Sequence, residues 1–502
     1  MDVLFNAMGQ VFQPHMVLII LLGNFIGVVV GALPGITGSM AIAILLPLTF
    51  SMSAAEGLML LLGIYPGGIF GGSIAAILLN LPGDPPAVMT TLDGYPMAQK
   101  GEAGRAIGLS TTASLIGSLF GVLCLIVIAP MLAKFALSFG PPEFFTLCVF
   151  GLSSIAAVAT KDLLTGFVAC CLGLLLGEVG MDPVFSVQRF TFGQVELQSG
   201  IPFGPLIIGL FGLAELFRQT LGPLEKLELR MKQIRKVFPS WEDMKKCSTV
   251  MLRGSIIGTI IGALPGAGAT IAAIISYNVT AGMDKDPKRF GTGVPEGIAA
   301  PESANNASVG GALIPLLTLG IPGSTITAIL IGAFMVHDIY PGPLLFVKHL
   351  DLVYVIFIGL IVASFGFALF GFLSARFGPL VLKAPPGVII PMIAIFCLVG
   401  AYSARENVWD IGLAVFFGVA AYFMGEFGIS TPPIILGYVL GPLVEENFRS
   451  SLKLSGGDPS IFVTRPISLV CLLLTVVILF YPVWRKRLSK GILSDRGAMD
   501  KL

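Results

Sequence analysis

The sequence predicts an all-α polytopic membrane protein. It is expected to consist of two inverted-topology repeats with broken or re-entrant helices, plus one extra C-terminal transmembrane helix. Three observations carry that expectation: a scarcity of charge, an internal duplication, and the crowding of basic residues into one linker. Only 30 of the 502 residues are Lys or Arg and 29 are Asp or Glu, 12% in all, where soluble domains carry roughly 25%. Hydrophobic residues make up 55%, and so few charges cannot cover a soluble surface of this size. The apolar runs are far longer than a barrel strand needs, so the spanning elements are helices.

The same composition narrows the function classes. A net charge of +1 leaves no basic face for a phosphate backbone, so nucleic acid is not expected as a partner. Six of the seven cysteines (Cys124, Cys148, Cys170, Cys171, Cys397 and Cys471) lie in apolar segments and read as small core residues. With no Cys-x-x-Cys pair, neither zinc nor redox chemistry is indicated. No Lys or Arg precedes the first apolar run, so the N-terminus does not read as a cleaved signal peptide.

Gly23 to Ile44 aligns without gaps onto Gly254 to Ile275, and ten of the 22 positions are identical, where chance would give about two. The match includes Gly31-Ala32-Leu33-Pro34-Gly35 against Gly262-Ala263-Leu264-Pro265-Gly266. Further along, Leu81-Pro82-Gly83 answers Ile321-Pro322-Gly323, and Pro205-Leu206-Ile207-Ile208-Gly209 answers Pro433-Ile434-Ile435-Leu436-Gly437. The organisation expected is therefore a first repeat over 1–217, a linker over 218–249, a second repeat over 250–447, and a final segment over 448–502. Apolar segments fall near 16–33, 36–50, 55–81, 106–133, 143–160, 163–179 and 200–217. Their counterparts are near 250–264, 267–278, 307–336, 351–375, 386–404, 408–425 and 430–446, and the extra helix is near 466–484.

Charge sets the orientation, because cytoplasmic loops collect Lys and Arg. The linker holds Arg218, Lys226, Arg230, Lys232, Arg235, Lys236, Lys245 and Lys246 against four acids, which makes it cytoplasmic. The tail Arg485-Lys486-Arg487 is cytoplasmic as well, so the last helix enters from outside. Each repeat then crosses an odd number of times, the N-terminus is periplasmic, and the repeats are inverted, as in many secondary transporters. Leu224, Leu227, Met231, Ile234 and Phe238 recur between basic residues, predicting an amphipathic helix on the inner membrane face.

Broken helices leave N–H groups at one end that hold anions and C=O groups at the other that hold cations. Such breaks fall at matching places in both halves. After the first Pro-Gly come Gly35, Thr37, Gly38 and Ser39, and their counterparts are Gly266, Gly268 and Thr270. The second pair of breaks brings Asn80 and, opposite it, Ser324 and Thr325. The densest polar cluster in apolar surroundings, 295–306, contributes Ser303, Asn305 and Asn306 as neutral donors to a carboxylate. In the plainer alternative Ser303 caps a helix and the two asparagines are solvated. Glu296 and Glu302 are candidate proton or cation carriers, or members of a cytoplasmic loop. A cation site is expected near Asn80, Asn306 and Gly323. No Walker loop, His-Glu-x-x-His or intramembrane-protease motif occurs, so no enzyme is predicted. An ion channel and a non-transporting scaffold or receptor are the rival readings.

The stretches Gly-Ala-Leu-Pro-Gly (31–35 and 262–266), Pro-Glu-Gly-Ile-Ala-Ala-Pro-Glu-Ser-Ala-Asn-Asn (295–306) and Leu-Thr-Leu-Gly-Ile-Pro-Gly-Ser (317–324) carry a resemblance. They are similar to the large membrane subunit of bacterial tripartite tricarboxylate transporters. The resemblance implies a multi-pass secondary transporter of the bacterial inner membrane, importing a di- or tricarboxylate with a sodium or proton gradient. It also implies a small membrane subunit and a periplasmic substrate-binding protein as partners, and no cofactor beyond the co-transported Na+ or H+.

Overall fold

The structure is a computed structural model that describes residues 2–158, 163–182, 185–221, 237–266, 268–382, 386–403 and 405–480. The amphipathic helix expected over 224–238 and the basic tail at 485–487 lie almost wholly outside the described residues. Of the extra helix expected over 466–484, Pro466–Phe480 is present and apolar.

The first helices are α1 (Asp2–Val11), α2 (Pro14–Ala32), α3 (Gly38–Leu45), α4 (Ala54–Leu79), α5 (Val88–Met97) and α6 (Ala103–Ala136). Then come α7 (Pro141–Val158), α8 (Leu163–Gly177), a two-stranded hairpin of β1 (Gly180–Met181) and β2 (Gln188–Arg189), α9 (Phe203–Ile207) and α10 (Ala214–Leu221). The second half opens with α11 (Trp241–Gly262), α12 (Gly268–Gly282), α13 (Pro295–Leu319), α14 (Thr325–Val336), α15 (Leu345–Lys348) and α16 (Leu350–Val381). It closes with α17 (Pro386–Ser403), α18 (Val408–Glu426), α19 (Pro432–Leu454) and α20 (Ile461–Thr464). Among the described residues, five helical stretches are long and apolar enough to cross a membrane: Pro14–Ala32, Ala54–Leu79, Pro85–Ala136, Leu350–Gly378 and Val408–Glu426.

The chain forms two compact units. One holds residues 1–137 and 202–423, and the other holds 138–201 and 424–502. Each unit draws on both sequence copies, so the duplication is not a division into two separate bodies. In the smaller unit α19 packs on α7 and α8. There Arg189 binds Glu178, Asp182 and Glu445, which pins the hairpin to α19.

The larger unit is organised by glycine. On α2, Gly23, Gly27 and Gly31 lie so close to α4 that an added Cβ would fall 2.3, 2.5 and 2.2 Å from the carbonyl oxygens of Leu60, Ile64 and Gly68. On α11, Gly254, Gly258 and Gly262 approach α13 likewise, with the Ala300, Ala304 and Ser308 carbonyl oxygens at 2.8, 2.0 and 2.5 Å. Each set is a run of small residues at four-residue spacing, which lets helix backbones touch where lipid offers no hydrophobic drive. The glycines of the two sets are 231 residues apart and their partners 240, the same offsets that relate the repeated motifs. On its other side α13 is clasped by α6, where Gly117 and Gly121 abut the Ser303 and Ala307 carbonyls.

Helix ends follow the local sequence. Ser53 with Glu56 starts α4, Ser240 with Asp243 starts α11, and Ser324 with Thr327 starts α14, each through a capping box. Pro295 starts α13, where its missing N–H costs nothing. Asn80 (φ 59°) closes α4 and Gly320 (φ 71°) closes α13, both left-handed. The single apolar run expected over 307–336 is therefore two helices with a break at 320–324. The cluster at 295–306 is neither a loop nor solvated. It forms the first half of α13 and is buried, so the alternatives of a Ser303 cap and a loop location for Glu302 do not hold.

Candidate functional site

The matching breaks converge in the larger unit. The turn after Pro34 places Gly35 at φ 85°, and the turn after Pro265 places Gly266 at φ 80°, a conformation that glycine adopts without strain. The two short helices that follow, α3 and α12, meet the opposite pair of breaks: α3 packs on α14, and α12 packs on the turn Pro85–Ala87. Gly266 N–H donates to the Gly323 carbonyl at 3.1 Å. A Cβ on Gly83 would fall 2.1 Å from the Gly31 oxygen, and one on Gly323 would fall 2.6 Å from the Gly262 oxygen. Each second break thus seats against its own half's first glycine helix.

Several candidate side chains have internal roles at these breaks. Thr37 caps α3 and contacts the Ser39 hydroxyl at 2.8 Å. Gly38 N–H, at the start of α3, points to the Asp84 carboxyl group at 3.4 Å, so the acceptor at that helix start belongs to the protein itself. The Ser324 hydroxyl serves the α14 cap and lies 3.1 Å from the Tyr65 hydroxyl. Thr325 occupies the first turn of α14 and is half-buried. Ser303 donates back to the Ala299 carbonyl at 2.8 Å. Asn80 is exposed, and what it supplies is its backbone turn. Gly268 (φ 61°) has open space where a Cβ would stand, and with half-buried Thr270 it forms the start of α12.

Asn305 and Asn306 stand apart from these. Both are 0% exposed. Neither the Nδ2 nor the Oδ1 of either has a hydrogen-bond partner among the described residues. They lie near the middle of the 25-residue α13. An amide buried without a partner costs about 1–3 kcal/mol, and two adjacent ones supply four donors and four acceptor lone pairs to whatever enters. Of the residues expected near a cation, Asn80 is exposed, Asn306 is buried and Gly323 is packed against α11.

Comparison with known proteins decides the family at this point. The profile of the tripartite tricarboxylate transporter TctA family matches residues 17–436. The chain belongs to the tripartite tricarboxylate transporter TctA family. Members are components of transporters rather than enzymes, and the five apolar spans agree with a multi-pass membrane protein. The chain is 38% identical over 476 residues to an uncharacterized 52.8 kDa protein of the TAR-I ttuC′ 3′ region of Agrobacterium vitis, a match covering 94% of this chain and 95% of that one. It is 36% identical over 227 residues to an uncharacterized protein of the TAR-II ttuC′ 3′ region of the same organism, covering 44% of this chain and 94% of the relative. No solved structure matches.

Within this TctA-family chain the structure gives Glu302, a candidate proton or cation carrier in the sequence, its partners, and it adds Thr90, Ser110, Ser114 and Asp93, which sequence reading passed over. Glu302, one turn before Asn306, is fully buried; it accepts from the Thr90 hydroxyl and, at 2.9 Å, from the Ser114 hydroxyl. Ser110, one turn before Ser114, contacts Ser73 at 2.8 Å. The α6 hydroxyls Ser110, Ser114 and Ser118 recur every four residues, a periodicity present in the sequence and placing them on one helix face. Asp93 is fully buried and accepts from the backbone N–H groups of Gly291, Gly293 and Val294 and from the Tyr277 hydroxyl, which fixes the loop leading into α13.

Proposed function

We propose that this chain is the large membrane subunit of a binding-protein-dependent secondary transporter that imports a di- or tricarboxylate down a sodium or proton gradient. The observation that carries the reading is the Asn305–Asn306 pair, buried, unpartnered and halfway along α13. A carboxylate held there gains hydrogen bonds from uncharged amides, so no fixed cation has to be stripped of water in the membrane. The start of α12, a helix packed on α13, is the second donor set in this reading, because first-turn N–H groups have no partner within the helix. Among the described residues no Lys or Arg forms a hydrogen bond with Asn305 or Asn306, so in this reading the substrate's charge is offset by the co-transported cation.

The reading includes inverted repeats, with the N-terminus periplasmic and the C-terminus cytoplasmic in a bacterial inner membrane. The matched glycine contacts and matched left-handed turns of the two copies support a common ancestry for the halves. The basic linker supports the orientation. Its partners are a small membrane subunit and a periplasmic binding protein that delivers the ligand. The test is uptake of labelled citrate and succinate by proteoliposomes holding both membrane subunits. Uptake is expected only with an imposed cation gradient and the binding protein outside; robust uptake with neither would overturn the reading.

A further inference from the structure

Glu302 is a carboxylate that the substrate site does not use, and its surroundings are unusual. Among the described residues it has no Lys, Arg or His partner, although it is 0% exposed. Its oxygens meet hydroxyls instead: Thr90 on one oxygen and Ser114 on the other at 2.9 Å. An unpaired buried carboxylate costs several kcal/mol in its charged form. Hydroxyls suit both protonation states, because each can donate to a carboxylate or accept from a carboxylic acid.

The hydroxyls continue beyond Glu302. Ser110 contacts Ser73 at 2.8 Å, and Ser118 contacts Ser364 at 2.8 Å. From Ser110 to Ser118 the α6 face runs eight residues, about 12 Å at the helical rise. A line of exchangeable hydroxyls passes the carboxylate and reaches the level of the unpartnered asparagines, since Asn306 lies one turn along α13 on the same face as Glu302.

Most titratable groups on neighbouring elements have other partners, although the buried His337 Nε2 has none among the described residues. On α5, Asp93 is held by three backbone N–H groups and Tyr277 of α12. Arg105 of α6 pairs with Asp243 of α11 and with Glu102. Lys246 of α11 and Arg289 pair with Glu296 of α13. Asp84, before the 85–87 turn, meets Gly38 N–H, and Tyr65 of α4 meets Ser324. His337 closes α14, and Lys348 ends α15 before His349; both elements adjoin the distal part of α13. None of these groups forms an ion pair or hydrogen bond with Glu302 among the described residues.

We propose that Glu302 is the proton-coupling residue of this transporter. One proton adds to a Glu302 carboxylate oxygen when the asparagine site is loaded, and the same proton leaves to the other side after the substrate does. The carboxylate charge is thereby cancelled during the loaded step and restored during the empty one. We take the ion to be a proton because each carboxylate oxygen already accepts from a hydroxyl, Thr90 on one and Ser114 on the other, an arrangement that suits gain and loss of a proton. The inference rests on the transporter reading above and names its coupling ion.

The experiment compares wild type, Glu302→Gln and Glu302→Asp in the full complex in proteoliposomes, with labelled citrate and succinate as probes. Net uptake driven by an imposed pH gradient without Na+ is measured beside substrate exchange at equilibrium, which requires no net proton movement. Glu302→Gln should lose about tenfold or more of the driven uptake while exchange stays within about twofold. Glu302→Asp should recover driven uptake with a displaced pH profile. Driven uptake unchanged in Glu302→Gln, or wild-type uptake that follows a Na+ gradient alone, overturns the inference. Loss of exchange in both variants also overturns it, since Glu302 would then be a binding or structural residue. If wild type shows neither uptake nor exchange of any probe, the transporter reading itself fails.

Discussion

Replacing Asn306 with leucine should make the empty protein more stable and the transporter inactive. The side chain is 0% exposed and neither of its polar atoms has a partner among the described residues. That arrangement costs the folded state about 1–3 kcal/mol. Leucine is close to asparagine in size and shape and has no polar atom, so the exchange removes the penalty without opening a cavity. Thermal unfolding of the purified protein in detergent, without carboxylate, should show the variant melting a few degrees higher. Adding citrate or succinate at saturating concentration should raise the melting point of wild type, because the ligand binds the folded state alone. It should leave the variant unmoved. Uptake by Asn306→Leu should fall to background while insertion into the membrane is normal. A variant that melts lower and still transports would refute the reasoning, since the amide would then be a satisfied part of the fold.

Gly258→Ala should destabilise the protein by about 1–3 kcal/mol, because the new methyl would fall 2.0 Å from the Ala304 oxygen and its nearest neighbours are all Ala304 backbone; Gly412→Ala, inside α18 with nothing within 4 Å, is the control and should be neutral or slightly stabilising in the same melting assay. The capping carboxylate Asp243 is held below the usual aspartate range by Arg105 first, with the Ser240 hydroxyl and N–H adding to it. A depressed acid stabilises the fold above its unfolded pKa and loses that contribution as pH falls. The gap in melting temperature between wild type and Asp243→Asn should therefore be full at neutral pH and close below roughly pH 4. A gap that persists unchanged at lower pH would assign the effect to the cap geometry rather than to the charge.

The fold class was legible because it depends on totals and periodicities. Charge scarcity, the Gly-Ala-Leu-Pro-Gly duplication and the breaks at Leu81-Pro82-Gly83 and Ile321-Pro322-Gly323 all depend on residue type and spacing alone. The polar cluster at 295–306 was legible as a site but not as a helix. Its glutamates, serine and asparagines argue for a loop when read alone, and only the glycine faces of α6 and α11 explain why a helix there is buried. The four-residue glycine spacing that makes those faces is present in the sequence at 117–121 and 254–262. The partners of Glu302 were not legible, because Thr90 and Ser114 lie 212 and 188 residues away and nothing local marks them. Asn80 shows the converse: a polar residue at a break attracts a ligand reading, while its left-handed backbone already accounts for it.

The central claim is that a carboxylate binds among the broken helices beside Asn305 and Asn306. An experimental structure of the assembled transporter with citrate or succinate at saturating concentration tests it most directly. The account predicts ligand density within hydrogen-bonding distance of both amides and facing the start of α12. Density elsewhere, with the two asparagines closed over by protein groups, would contradict it.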